Sequence, residues 1–206
     1  MNETLRKKLI ERSVALALAA GASSTTYVAI TQDAPPSAAV VLAQEIGYHF
    51  ESSGRHIGKP YNDKAGKGQP WTVCAGVTGK GVVPGKYYTP EECKKLELPH
   101  YIAAEKLAKK NLKYWSTYNP YVQASFIDMG FNVPSALAPT TTIMKHANAG
   151  QLDLACQQMP RWVYGTAEGH SVRLNGLVDR RGTTAELCLE WGRTGHFSAS
   201  LLGSAK

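Results

Sequence analysis

Glu51, Asp63 and Thr72 are the side chains whose types and order could do chemistry. Glu51 precedes a stretch rich in glycine and turn residues. Asp63 lies inside it, in Tyr61-Asn62-Asp63. A β-branched run follows and carries Thr72, in Trp71-Thr72-Val73-Cys74-Ala75-Gly76-Val77-Thr78. Cleaving a glycosidic bond takes two carboxyl groups facing each other across a cleft. One protonates the leaving oxygen, and the other handles charge or water on the far side. A threonine hydroxyl both donates and accepts, so it can hold the attacking water. Each residue taken singly has a plainer reading: a helix-end Glu, a turn Asp and a strand Thr. The order of the three gives them weight together.

These residues need elements to aim them. Residues 38–50 read as an amphipathic helix that delivers Glu51 at its C-terminal end. Residues 55–84 read as a small twisted sheet, with Thr72-Val73 and Val82-Val83 as short strands between Gly and Pro turns. Thr89, Pro90 and Glu92 give a capping box with proline at the first helical position. That helix is expected to break near Pro99. A second, over about 100–115, carries Lys106, Lys109, Lys110 and Lys113 on what is best read as a solvated face.

The chain has 206 residues, a formal net charge of +7 and 43% hydrophobic residues, enough for one domain plus an appendage. The charge fits either a solvated basic surface or attraction to a polyanion such as cell wall or a membrane surface. No Arg/Lys cluster with interleaved aromatics appears, so nucleic acid is not expected as a partner. The four cysteines, Cys74, Cys93, Cys156 and Cys188, lack metal-ligand spacing, and no metal or cofactor is expected. Their even number suggests disulfides in an exported domain, with buried thiols as the alternative. Of three possible pairings, Cys74 with Cys93 and Cys156 with Cys188 is favoured, because each staples neighbouring elements of one lobe.

Residues 1–12 include Arg6, Lys7, Lys8 and Arg12, and residues 13–32 carry no charge. That run is long enough for a membrane span of roughly 20 residues, and the basic flank would keep the N-terminus cytoplasmic. It is weakly apolar, since residues 13–31 hold six Ala and six Ser or Thr but only five Val, Leu or Ile. A marginal span that enters and later leaves the membrane fits this composition best. A cleaved signal peptide, cut near Ala17-Leu18-Ala19 or Ala20-Gly21-Ala22, and an exposed helix or disordered tail are the alternatives.

The 51–78 segment resembles the catalytic segment of the phage-type lysozymes, glycoside hydrolase family 24, whose pattern is Glu, then Tyr-x-Asp, then Trp-Thr-[Ile/Val]-[Gly/Cys]-x-Gly-x-Thr. Residues 119–132 resemble the core helix of that family, ending in Phe131-Asn132. Gly176-Leu177-Val178-Asp179-Arg180-Arg181 resembles the start of its last helix, here read to about Trp191. The resemblance covers about 38–191. It implies an α+β, lysozyme-like fold with a small sheet lobe and a larger helical lobe joined by a long helix. It also implies a muramidase acting on peptidoglycan, with Glu51 as general acid in a partly apolar seat walled by Tyr48 and Phe50. Asp63 would be the ionised partner and Thr72 the water holder, with Thr78 and Thr142 where relatives contact sugar. Signal-anchor-release endolysins of this family carry a segment like 13–32. They wait tethered to the host inner membrane and act in the periplasm once it escapes.

The expected organisation is an anchor segment 1–32, a linker 33–37, a catalytic domain 38–191 and a tail 192–206, as a monomer. The chain departs from the family pattern in three places. Ser52-Ser53 precede Gly54, and Val77 stands where relatives have His. The Glu51-to-Asp63 and Asp63-to-Thr72 gaps are each about three residues longer than usual, an insertion that loops tolerate cheaply. The spacing leaves open a catalytically impaired, membrane-tethered wall-binding protein on the same fold. A chitinase or lytic transglycosylase is a third reading, and the presence of Asp63 argues against the latter.

Overall fold

Ser37 starts the helix that ends on Glu51. Its side chain accepts the Val40 N–H at 3.2 Å, and helix α2 then runs Ala38–Glu51. The computed structural model describes residues 1–21, 35–52, 55–63, 68–79, 81–167 and 170–191. Residues 22–34, which hold most of the expected uncharged segment and the start of the linker, lie outside the described residues, as does the expected tail 192–206. Among the described residues no helix is long and apolar enough to cross a membrane.

The sheet lobe is small. Strands β1 (Tyr61–Asn62), β2 (Trp71–Val73) and β3 (Val77–Thr78) form an antiparallel sheet in the order β1-β2-β3. The expected strand at Val82-Val83 does not form. The Val83 N–H instead donates to the Tyr88 hydroxyl at 2.8 Å, and that hydroxyl donates to the Gly81 carbonyl at 2.9 Å. One phenol thus serves backbone groups that a partner strand would otherwise satisfy. Val82 still packs under the sheet with Val73, Val77 and Tyr88.

Helix α3 spans Pro90–Asn111, so the expected break at Pro99 is absent. The N-terminal expectation holds, since Thr89 and Glu92 close a reciprocal capping box. A mid-helix proline forfeits one backbone hydrogen bond and strains the preceding turn, at about 3 kcal/mol. Burial offsets it. Cys93, Glu97, Tyr101, Ala104, Glu105 and Ala108 are buried at helical spacing on both sides of Pro99. Cys93 packs in the sheet lobe, Tyr101 and Ala104 against α2, and Ala108 in the helical core. A chain broken at 99 would withdraw several such side chains, each worth ~1.5–3 kcal/mol for the large apolar ones.

The helical lobe is built around α4 (Pro120–Asn132), whose residues 124–130 are all buried. Asn119 caps it by accepting from the Tyr121 and Val122 N–H groups at 2.9 and 3.0 Å. Short helices α5 (Thr142–Asn148) and α6 (Leu152–Gln157) follow. An antiparallel hairpin of β4 (Tyr164–Ala167) and β5 (His170–Arg173) leads into α7 (Asn175–Leu189).

Two disulfides, Cys74–Cys93 and Cys156–Cys188, have Cα separations of 5.4 and 5.6 Å, within the usual range. They are the two pairings favoured from the sequence. The first ties the β2–β3 turn to α3, and the second ties α6 to α7.

Residues 1–12, expected as a basic flank outside the domain, pack onto it. They lead into and form the first part of helix α1 (Glu3–Gly21). Leu5 and Leu9, one turn apart, are fully buried against Val40, Leu42 and Ile46 of α2. Around them Arg12 pairs with Glu45 at 3.0 Å, and the Lys8 ammonium sits 5.3 Å from the Tyr48 ring centroid.

Where α2 crosses α3, Gly47 faces the fully buried Tyr101. A Cβ at residue 47 would lie 1.7 Å from the Tyr101 hydroxyl. Tyr101 cannot swing aside, because its ring stacks on Phe131 at 4.3 Å. Gly47→Ala is therefore expected to destabilise the fold by about 1–3 kcal/mol despite alanine's better helix propensity. Urea denaturation checks this, and a variant as stable as wild type would show that the crossing relaxes freely.

Candidate active site

Register sets the sheet side of the site. Tyr61 pairs with Thr72, and Thr72 pairs with Thr78. Directly paired residues project to one face, so Tyr61, Thr72 and Thr78 form a row across the three strands. Asp63 follows two residues after Tyr61, the interval at which a strand returns to the same face. Its N–H donates to the Pro70 carbonyl at 3.0 Å, extending the β1–β2 pairing by one rung. Thr72 is buried, and its hydroxyl donates to the Pro70 carbonyl at 3.3 Å, leaving oxygen lone pairs to accept from a bound molecule. Thr78 is exposed.

Glu51 is the last residue of α2, and its side chain is 29% exposed. Tyr61 links it electrostatically to Asp63. Burial pushes the Tyr61 phenol up, and the negative fields of Asp63 and then Glu51 push it further. One phenol thus feels both carboxylates. Thr142 is the exposed first residue of α5, following the N-cap Thr141.

The expected seat of Glu51, walled by Tyr48 and Phe50, is corrected by its main partner. Glu51 Oε1 accepts from the Arg180 guanidinium of α7. Phe50 does contribute a wall, since Arg180 lies 5.9 Å from its ring centroid, but Tyr48 turns its ring toward Lys8 of α1. Arg180 is gripped from behind by Asp128 of α4, its Nε donating at 3.1 and 3.0 Å to the two carboxylate oxygens and Nη2 at 2.7 Å to Oδ1. Arg181 also donates to Asp128, at 3.1 Å, and to Asn132. Burial opposes the Arg180 charge, but Asp128 and then Glu51 outweigh it and hold its pKa above the ordinary guanidinium value. A planar fork held by one carboxylate can present its remaining N–H groups to another in a fixed orientation.

Sequence reasoning missed Asp128 and gave the Arg180-Arg181 pair no job. The signal was present, because Asp128 is a charge in the middle of the apolar run Phe126-Ile127-Asp128-Met129. A charge at such a position must find a partner.

The turn that follows β2 is held on α3 as well. The buried Glu97 carboxylate accepts the Ala75 N–H at 2.9 Å, one helical turn from the Cys74–Cys93 bond. Burial pushes the Glu97 carboxyl up, while the Ala75 N–H and Lys94 oppose the shift. Thr72 therefore sits on a strand whose end is fixed to the long helix both covalently and by a hydrogen bond.

Comparison with known proteins adds a lineage to this geometry. A family model described as Phage lysozyme matches residues 51–184, a span that begins on Glu51 and includes Asp63, Thr72, Asp128 and Arg180. The SAR-endolysin of Bacteriophage PS119 is 32% identical over 143 residues, covering 66% of this chain and 75% of that protein. The SAR-endolysin of Enterobacteria phage P21 is 32% identical over 142 residues, with 65% and 75% covered. Among solved structures, the endolysin from Escherichia coli O157:H7 phage FAHEc1 superposes with a TM-score of 0.62 at 23% identity, covering 72% of this chain and 90% of that one. The likeness of fold is thus to lysozyme-like proteins with a mostly helical lobe and small antiparallel sheets.

Proposed function

This chain belongs to the phage lysozyme family, and from that premise we propose that it is an endolysin muramidase. It would hydrolyse the β-1,4 bond between N-acetylmuramic acid and N-acetylglucosamine in peptidoglycan during host lysis. The observation that carries this reading is the position of Glu51. It ends α2 with one oxygen held by Arg180, within the electrostatic reach of the phenol that also feels Asp63.

The division of labour follows from how the atoms are bonded. Arg180 donates to Oε1 of Glu51, so Oε2 is the oxygen that carries the proton to the leaving glycosidic oxygen. Asp63 either stabilises oxocarbenium-like charge or orients the attacking water. Thr72 accepts a hydrogen bond from that water, since its own proton goes to the Pro70 carbonyl. Thr78, exposed beside Thr72, is a sugar contact in this scheme. Thr142 is a further contact on the helical lobe.

The setting is also a proposal. Residues 13–32 tether the chain to the host inner membrane, and release delivers it as a monomer to the periplasm. The docking of Leu5 and Leu9 on α2 supports a released form in which the N-terminal segment rests on the domain that follows it.

The test is product analysis. Purified protein added to outer-membrane-permeabilised Gram-negative cells should clear the suspension, and isolated peptidoglycan should yield new reducing ends on N-acetylmuramic acid. Anhydro ends, or binding without cleavage, would overturn the muramidase assignment.

A further inference from the structure

Residues 106–151 hold five lysines, no arginine and a single carboxylate, Asp128. Asp128 is fully buried and taken up by Arg180 and Arg181. Of the acidic and basic side chains in this segment only the lysines reach the surface, and the segment accounts for four of the chain's seven net charges. Elsewhere the signs are interleaved. The basic start of α1 alternates with Glu3 and Glu11, and Lys94 and Lys95 follow Glu91 and Glu92 in the first turns of α3.

The lysines that the sequence alone leaves as a solvated face are gathered at one end of the molecule. Lys106, Lys109, Lys110 and Lys113 recur at the three- and four-residue spacing that puts side chains on one helix face, and all four are exposed. Lys145, exposed on α5, is brought to the same end. Asn148, one turn beyond Lys145, accepts the Lys113 N–H at 2.8 Å and donates to the Asn111 carbonyl at 2.9 Å, which fixes the two helix ends to each other. Lys109 pairs with Glu105 at 3.1 Å, and Glu105 also accepts from the Ser37 hydroxyl at 2.6 Å. Lys106, Lys110, Lys113 and Lys145 have no ion-pair partner among the described residues. The face is remote from the sheet lobe, since Lys106 lies about 20 Å and Lys110 about 25 Å along the α3 axis from Cys93.

We propose that this face docks on the anionic headgroups of a phospholipid bilayer. An ammonium is a compact point charge without the fork by which arginine fits one carboxylate or phosphate. Five ammonium groups and no arginine on an exposed face suit phosphodiesters that slide to meet them, rather than one rigid ligand. The rings of Tyr114, Trp115 and Tyr118 are half-buried, so none is laid open for a base to stack on. Tyr and Trp at the end of such a row are the types that settle at a headgroup boundary. The choice of a bilayer rests on the membrane setting proposed above. Residues 13–32 are weakly apolar, and a weak membrane signal holds stably only beside a second, for which a basic patch serves. Docking by this end leaves the row of Tyr61, Thr72 and Thr78 uncovered.

The test uses the full chain carrying Lys106→Gln, Lys110→Gln, Lys113→Gln and Lys145→Gln. Its charge-matched control carries Lys59→Gln, Lys95→Gln, Arg161→Gln and Arg173→Gln, all exposed and outside the face. Each is sedimented with vesicles of phosphatidylglycerol and phosphatidylcholine in equal parts, and with phosphatidylcholine alone. Residues 1–32 are the same in all three proteins, so a change in the ratio of anionic to neutral affinity reads the face. Each lysine held at an anionic surface strengthens binding about fivefold, so the ratio should fall about 10²–10³-fold in the lysine variant and hold in the control. In wild type the ratio should also fall as salt is raised. A lysine variant with the wild-type ratio, or a control that loses as much, would overturn the inference. So would an equal loss of affinity for duplex DNA, which makes the face a general polyanion surface, or for sedimented peptidoglycan, which assigns it to the wall. If wild type ignores neutral vesicles yet binds anionic ones through these lysines, the face stands and the tether reading fails. Binding to both vesicles without preference keeps the tether and removes the face.

Discussion

Glu51→Gln is expected to lower the rate of peptidoglycan hydrolysis by about 10²–10⁴-fold, the range in which a positioned general acid contributes. The substitution is nearly isosteric. The amide would still offer a carbonyl oxygen to Arg180, so that contact survives while the transferable proton is lost. Far-ultraviolet circular dichroism should therefore match wild type, and reducing-end release should not. Turbidity loss of permeabilised cells gives the same reading in a second assay. Retention of more than about a tenth of wild-type activity, well outside that range, would remove Glu51 from the role of acid.

The second large effect is on stability. Asp128 and Arg181 are fully buried, Arg180 nearly so, and Asp128 bonds both guanidinium groups. Removing one partner of a buried charge set strands the others, which costs about 3–5 kcal/mol. Asp128→Ala should lower the Tm by roughly 6–20 °C, at ~2–4 °C per kcal/mol for a chain of this size. Below its Tm the variant should also lose activity, because Arg180 would no longer be steered toward Glu51. The set is not perfectly satisfied, since Arg181 Nε is buried without a hydrogen-bond partner among the described residues. A Tm shift below about 3 °C, equivalent to roughly 1 kcal/mol, would show that wild type gains little from the set.

Much of this was readable in the residues. The helix that delivers Glu51, the Thr89–Glu92 cap, the core helix α4 and α7 each carry local signals: periodic apolar positions, a capping side chain, a proline at the first turn. The missed features depend on distant chain. Pro99 is a sound local stop signal, overridden because α3 buries one stripe against three separate clusters. Val82-Val83 is β-branched like a strand, but the Tyr88 hydroxyl took its backbone. The β4–β5 hairpin went unread because Tyr164-Gly-Thr-Ala and His170-Ser-Val-Arg hold too few apolar residues to alternate visibly. In the site, residue types and order marked Glu51, Asp63 and Thr72. The partner that orients Glu51 lies 129 positions away, which no local pattern reports.

The two ties between the β2–β3 turn and α3 have a mechanical consequence. Cys93 and Glu97 both precede Pro99, while Tyr101, Ala104 and Ala108 follow it in the packing of the helical lobe. The first half of α3 is thus tied to the sheet turn as well as to α2, and the second half packs in the core. Pro99 sits at the join, where its missing N–H leaves one rung out of the helix ladder. Bending is least resisted there, so the residue that failed to end the helix marks the point at which α3 is most easily flexed between the sheet turn and the core.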